Sequence, residues 1–539
     1  MDSEVKASNF TIENDVLKGS EPFCKVTNDY NSLGKFVLDR LKDQPHLVGQ
    51  IDTLTHEVQT YEKMRERSVR CALWMKSQGL VLGDVVAICS NNTLDVAMPC
   101  YGALYLGVAF YPWDTGLTSK NFQHLMNTTK PKMVFVCEEL VSTIVEAANE
   151  AELDATIIVF GGASGLLDYE SVIAEPGEDE VEDFECTPIE RPEEIAVIMS
   201  TSGSTGLPKS VALSHGGILK QLHQSDFLAI TDSICLIYSP LSWLTSMLSL
   251  FMSLYKNIAR LIAPPFEEDS ACKIIEELKV DWVFMAPNMI KRLLNSGSIT
   301  RHDFSSVKHI MCGGSPLSVA SQEALAKVLP NVNIYPCYGS TELGGCVSIS
   351  SPNSKLGSVG LIAINCQLKV VDPNNGQKLG VNQRGEFHLK APTMMNFYYN
   401  NPEATASAID EKGWLHSGDL GYYDEDGEVF IVDRLKELIK YRGFHVSPFE
   451  IETILSSHPG VADVAVVGMP HPVDDEHPLA FVVRAPEYVE VTEAELVDLV
   501  AAQVADTKRL RGGVKFIDRI PRTSSNKIQR HALRNLITL

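Results

Sequence analysis

The sequence holds no C-x-x-C pair. Its 12 cysteines are spread over 539 residues, too dilute for a disulfide scaffold, so zinc-ribbon and thioredoxin-type readings both lack their spacing. Positive charge is also short. There are 46 Lys+Arg against 69 Asp+Glu, a formal net charge of −23. Polyanion and anionic-membrane surfaces need a basic face, and this excess of acid disfavours both. The start, MDSEVKASNFTIEND, has no basic region followed by an apolar one, so no secretory signal is expected. The closing Ile537-Thr538-Leu539 does not match the S-K-L peroxisomal address. An intracellular setting is expected, cytoplasmic or peroxisomal. There is no internal repeat.

What is present reads as globular. Hydrophobic residues make up 45% of the chain, far too many for disorder. Length over 150 suggests about three or four domains, but two unequal domains fit as well. Val96 to Trp113 is uncharged and close to the length of a membrane span. Pro99, Gly102, Gly107 and Pro112 interrupt it, so it reads as a buried helix followed by a strand.

From about residue 80, short apolar runs alternate with helical segments. Val85–Cys89, 132–136, Thr156–Phe160, 195–199, Trp282–Met285 and 307–311 are expected strands. Continuous apolar runs suit strands buried on both faces, as in parallel sheets. Ser315 as N-cap and Pro316 at the first position predict a helix closing at Pro330. Residues 175–185 hold seven acids in eleven positions and are expected to form a solvated loop. Composition shifts near residue 433. Beyond it, Pro448 opens a helix, 461–468, 479–483 and 514–517 are strands, and Thr492 with Glu495 forms a capping box.

The strongest local signal is Ser200-Thr201-Ser202-Gly203-Ser204-Thr205-Gly206-Leu207-Pro208-Lys209, just after an expected strand. Small residues let such a loop approach a ligand, and its amides and hydroxyls can donate to phosphate oxygens. A Walker A loop would place glycine before the lysine; Pro208 stands there instead.

With further motifs in order, the chain resembles the adenylate-forming superfamily of acyl-CoA synthetases, 4-coumarate ligases and beetle luciferases. These motifs are Gly313-Gly314-Ser315-Pro316, then Tyr338-Gly339-Ser340-Thr341-Glu342, then Gly385-Glu386. Tyr399 with Pro402-Glu403-Ala404-Thr405 follows, and then Gly413-Trp414-Leu415-His416-Ser417-Gly418-Asp419. Asp433-Arg434-Leu435-Lys436-Glu437 runs on to Gly443, and Lys527 stands near the end. The resemblance spans about residue 50 onward and is nearest to insect luciferase-like fatty acyl-CoA synthetases.

The resemblance implies an α/β fold. A large N-terminal domain, 1–435, would have parallel-rich sheets with flanking helices and a β-barrel-like subdomain. A small mobile α+β domain, 436–539, would turn on a hinge at Lys436. It implies ATP, Mg²⁺ and coenzyme A, with a small carboxylic acid as the other substrate. A carboxylate would attack the α-phosphate, and the thiol would then displace AMP. ATP and AMP would be held by 202–206, Gly313, Gly314, Ser315, Tyr338, Gly339, Ser340, Thr341, Asp419, Arg434 and Lys527. Glu342 would hold the metal. Lys527, Thr341, Lys209 and Lys440 would be catalytic. Coenzyme A would meet Lys440, Arg442 and Gly443.

The acyl group would meet Gln221, Trp243, Gly313 and Gly345. Gln221 and Trp243 stand where luciferases carry an arginine and a histidine, and Gly345 where they carry a serine, which argues against light emission. Pocket segments rich in Leu, Met and Phe suit a medium- or long-chain fatty acid, with an aryl-propenoic acid second. An inactive nucleotide- or acyl-binding protein is the remaining alternative. The presence of Lys209, Thr341, Glu342, Asp419, Arg434 and Lys527 together argues against it.

Overall fold

The computed structural model describes residues 10–20, 30–162, 165–202, 207–227, 233–442, 444–486, 488, 490–522 and 527–537. The apolar runs become strands buried on both faces; all five residues of Val85–Cys89 are buried. Val85–Cys89 pairs in parallel with Ala109–Pro112 and Met133–Cys137, and the latter with Thr156–Phe160. Ile195–Ser202 joins this eight-stranded sheet and returns antiparallel as Pro208–Ser214. A second sheet, of nine strands, has Trp282–Met285, His309–Cys312 and Asn333–Ser340 as parallel neighbours. On one side it continues antiparallel through Gly345–Ile349 to the edge strand Leu361–Ile362.

A third sheet has seven strands and is antiparallel; it carries Gly385–Lys390, Leu415–Tyr423 and Val429–Arg434. Its path is open, but Val359 N–H donates to Val429 O at 2.8 Å and Val429 N–H to Gly360 O at 2.9 Å. Those bonds cover part of the edge strand with the segment that precedes Leu361–Ile362. A fourth sheet gathers Ile439–Tyr441, Phe444–Val446, Val461–His471, Asp475–Arg484 and Gly513–Phe516 around cores of its own. The chain is therefore mixed α/β, a large N-terminal domain of sheets and helices with a smaller C-terminal one.

Val96–Trp113 resolves as a helix, Ala97–Tyr105, and a strand, Ala109–Pro112. Among the described residues no helix is long and apolar enough to cross a membrane, and all eleven cysteines are free thiols.

Three local expectations change. The helix assigned to Ser315 starts at Val319, because Ser318 Oγ takes the Ser321 N–H at 3.2 Å and supplies the cap. The acidic run is not all loop: Glu178–Glu182 is a short helix with Val181 buried. Glu180 accepts the Gly177 N–H at 2.9 Å, and acids in a first turn favour that end of the helix dipole. Thr492 caps Glu495 N–H at 3.2 Å, but the Glu495 carboxylate turns to His458 Nε2 at 3.1 Å instead of completing the box.

Candidate active site

The Ser/Gly-rich segment is the tip of a hairpin. Ser200 pairs with Ser210, Thr201 with Lys209 and Ser202 with Pro208. A strand-to-strand tip is unlike the strand-to-helix turn of a Walker loop. Residues 203–206, Gly203, Ser204, Thr205 and Gly206, lie outside the described residues, as do the Ser202 side chain and Gly443. The hairpin base is locked from below: the Tyr111 hydroxyl lies 2.7 Å from Ser200 Oγ and 2.9 Å from Ser210 Oγ.

Thr341 and Glu342 sit in the turn joining Asn333–Ser340 to Gly345–Ile349, not at a helix start. Ser340 Oγ accepts the Leu343 N–H at 3.3 Å, and Gly344 N–H donates to Thr341 O at 3.0 Å. Thr393 Oγ1 donates to Leu343 O at 2.6 Å and fixes the turn from outside. Close approach is the reason for glycine at two positions. A Cβ on Gly339 would stand 2.1 Å from the Gly345 carbonyl oxygen. One on Gly345 would stand 2.0 Å from Gln221 Oε1.

Glu342 is positioned by a residue that the motif reading did not single out. The Tyr398 hydroxyl donates to Glu342 Oε1 at 3.0 Å, and Lys209 Nζ stands 4.8 Å from the centre of the Tyr398 ring. Burial and the Glu342 charge hold the Tyr398 phenol well above its ordinary pKa. No local signal singled it out: in the strand Phe397–Tyr398 the first ring is exposed and the second buried, which only the strand's placement decides.

Asp419 is the most constrained group. It is 5% exposed, and it lies opposite Arg434 in the antiparallel pair Leu415–Tyr423 and Val429–Arg434. Arg434 Nε is 3.0 Å from Asp419 Oδ1, and the Tyr338 hydroxyl donates to Oδ2 at 2.7 Å. Burial raises the Asp419 pKa; Arg434, Tyr338 and Lys527 pull it back. The Asp433 side chain turns away from Arg434's and bonds Ser447 Oγ and the Phe449 N–H, at the start of the helix Pro448–Ser456.

Lys527, from the C-terminal domain, reaches the same corner. Its surface stays open to solvent, yet the groups around it desolvate the ammonium. That, and then Arg434, lowers its pKa, while Glu342 and Asp419 oppose the shift. A carboxylate pair flanked by three cations, Arg434, Lys209 and Lys527, can bind a polyphosphate ester and offset charge at phosphorus.

The family model described as AMP-binding enzyme matches residues 37–399, and the AMP-binding enzyme C-terminal domain matches 450–527. The chain belongs to the AMP-binding enzyme family. With it comes membership of the adenylate-forming superfamily of acyl- and aryl-CoA ligases.

Among the curated relatives of this AMP-binding enzyme is luciferin 4-monooxygenase of Photinus pyralis, 36% identical over 537 residues and covering 97% of each chain. 4-Coumarate–CoA ligase 3 of Oryza sativa subsp. japonica is 32% identical, covering 96% of this chain and 94% of its own. Among solved structures, ATP-bound MatB from Rhodopseudomonas palustris is 25% identical and covers 93% of this chain and 98% of its own, with a TM-score of 0.84. The apo structure of the same MatB, at the same coverage, gives 0.74.

In this AMP-binding enzyme the fold brings together Lys209, Tyr338, Glu342, Asp419, Arg434 and Lys527. Lys440 and Arg442 belong elsewhere, on the hairpin of the C-terminal sheet. The Lys440 N–H donates to Glu476 Oε2 at 2.9 Å, and Arg442 Nε meets Asp474 Oδ1 at 2.6 Å. Lys436 lies in the turn Leu435–Glu437, whose Glu437 takes Arg530 Nε at 3.1 Å. Of the residues expected to meet an acyl group, Gln221 Oε1 and Trp243 Nε1 are buried, with no partner among the described residues. Gly313 and Gly314 follow the strand His309–Cys312 and precede the helix Val319–Val328, with Ser315 in the same connection.

Proposed function

We propose that this protein is an ATP-dependent carboxylate–CoA ligase, forming an acyl-adenylate and then an acyl thioester. The observation that carries the reading is the meeting of Lys527 with Asp419, Arg434 and Glu342, since Lys527 comes from the other domain. Asp419 accepts from the ribose hydroxyls, held in place by Arg434 and Tyr338. Tyr338 presents a ring to adenine while its hydroxyl anchors Asp419. The Ser/Gly-rich tip and Lys209 receive the outer phosphates, and Gly313, Gly314 and Ser315 face the nucleotide.

Thr341 donates to the α-phosphate. Lys527 bridges the incoming carboxylate and the α-phosphate, so that two anions can approach. Glu342 has one oxygen held by Tyr398 and is the carboxylate that would hold a magnesium ion, which would screen phosphate charge.

After adenylation the small domain, 436–539, turns at Lys436. Lys527 leaves, and Lys440, Arg442 and Gly443 arrive to meet coenzyme A and assist thiol attack. The higher likeness to ATP-bound than to apo MatB supports the adenylating arrangement.

The acid is a medium- or long-chain fatty acid. Gln221 and Trp243 carry no charge and replace the residues that luciferases use, so a ligase is favoured over a monooxygenase. ATP–pyrophosphate exchange over saturated C2–C18 acids and aryl-propenoic acids tests the reading. Exchange is expected to peak with the longer alkyl acids. A peak with aryl acids would move the substrate class, and silence with every acid would overturn the ligase.

A further inference from the structure

One face of the seven-stranded sheet carries three side chains with metal-ligating atoms. Glu386 and His388 are two apart on Gly385–Lys390, while Phe387 and Leu389 between and beyond them turn into the core. His416 pairs directly opposite His388 on the neighbouring strand. The ligand atoms of Glu386, His388 and His416 all lie within 4.8 Å of one another. Two ligands at i and i+2 with a third across an antiparallel pair form a facial set that leaves a position open.

His388 is 7% exposed, and its Nδ1 is buried with no hydrogen-bond partner among the described residues. Its Nε2 meets Glu386 Oε2 at 3.2 Å, and its ring stacks on His416 with centroids 3.9 Å apart. A buried imidazole nitrogen without a partner is costly unless something satisfies it. His416 opens to solvent, and Asp410 Oδ2 stands 3.7 Å from its Nε2, where a carboxylate orients a ligating ring. Lys369 faces His388 from the other neighbouring strand but leans over Trp414, with Nζ 4.5 Å from the ring centre.

A second trio, His471, Asp474 and His477, is already committed. Asp474 carries Arg442 at 2.6 Å and His477 at 2.9 Å, and His471 Nδ1 accepts the Asp474 N–H at 3.1 Å.

The geometry points to a divalent transition-metal site of the Zn²⁺ class at Glu386, His388 and His416, with water in the open position. Imidazole and carboxylate together suit zinc, nickel or copper in preference to magnesium or calcium. Ligands on a tetrahedral zinc stand about 3.3 Å apart, so the side chains close by about an ångström on binding. Glu386 Oε1 also accepts the Gly418 N–H at 3.1 Å, so the site adjoins the strand segment that carries Asp419.

The test uses the full chain, stripped with chelator and titrated with Zn²⁺ by calorimetry. Co²⁺ replaces Zn²⁺ for a ligand-field spectrum. A single tight equivalent is expected, with a rise in melting temperature on Zn²⁺ addition. His416→Ala, at the surface, should weaken binding at least about tenfold and remove the melting shift. His471→Ala/His477→Ala should leave both intact. Absence of binding, binding that survives His416→Ala, loss in the His471/His477 variant, or displacement by excess Mg²⁺ would each overturn the assignment.

Discussion

Asp419 and Arg434 face each other across an antiparallel strand pair, and their side chains meet at 3.0 Å. Tyr338 occupies the other carboxylate oxygen at 2.7 Å, so both oxygens are oriented by the protein. A hydrogen bond to a charged group contributes about 1.5–3 kcal/mol. Tyr338→Phe is therefore expected to raise the KM for ATP about tenfold in pyrophosphate exchange. An unchanged KM would mean that Asp419 is held without it.

Lys527 should serve one half-reaction only. Lys527→Ala is expected to slow adenylation by at least about a hundredfold while thioester formation from supplied acyl-adenylate stays within about twofold. Equal loss of both steps would argue against a small domain that changes its contribution between them.

Tyr398 acts through Glu342. Tyr398→Phe keeps the ring beneath Lys209 but removes the donor to the carboxylate. The Mg²⁺ concentration for half-maximal exchange should rise about tenfold, with little change in melting temperature. A variant with unaltered Mg²⁺ dependence would remove Tyr398 from the site.

Two neighbouring glycines should respond differently. The obstacle to a Cβ on Gly339 is the Gly345 backbone, whereas on Gly345 it is the end of the Gln221 side chain. Gly339→Ala is expected to lower stability by about 3 kcal/mol in urea unfolding. Gly345→Ala should unfold near the parent, displace the Gln221 amide and change the acid profile. Gln221→Ala alone should also change that profile, and adding Gly345→Ala to it should change it no further. A further change in the double variant would separate the two residues.

His215 gives the fold an acid limb. Its Nδ1 accepts the Leu33 N–H at 3.1 Å, which requires a neutral ring. Burial pushes the imidazole down to about 4, against the partial opposition of Glu194. An unfolded histidine titrates near 6.5, so this stabilisation is complete above that pH. It falls progressively between about 6.5 and 4, by about 3 kcal/mol in all. Urea midpoints at pH 7 and pH 4.5 should differ less in His215→Gln than in the parent. Equal differences would assign the acid limb to other groups.

The apolar runs made the parallel strands legible, because burial on both faces leaves a continuous hydrophobic signature. The order of the motifs made the charged corner legible too. What the sequence concealed lies across strands. Thr341 and Glu342 could equally have opened a helix, and only the pairing of Tyr338 and Gly339 with Ser348 and Cys346 makes them a turn. Tyr398 stood beside the tyrosine that carried the motif; strand alternation decides which of the two turns inward. The trio Glu386, His388 and His416 depends on a register that no local pattern specifies.

Asp433 and Arg434 are adjacent in one strand, yet their side chains serve different bodies. Arg434 goes to the buried Asp419, and Asp433 to Ser447 and Phe449 of the small domain. One peptide unit thus joins two contacts, one at the buried Asp419 and one at the start of the helix Pro448–Ser456. Side chains alternate along a strand, so a one-residue insertion or deletion just before Asp433 would exchange the two outputs. A substitution in this strand alters one of the two contacts, whereas a change of length alters both.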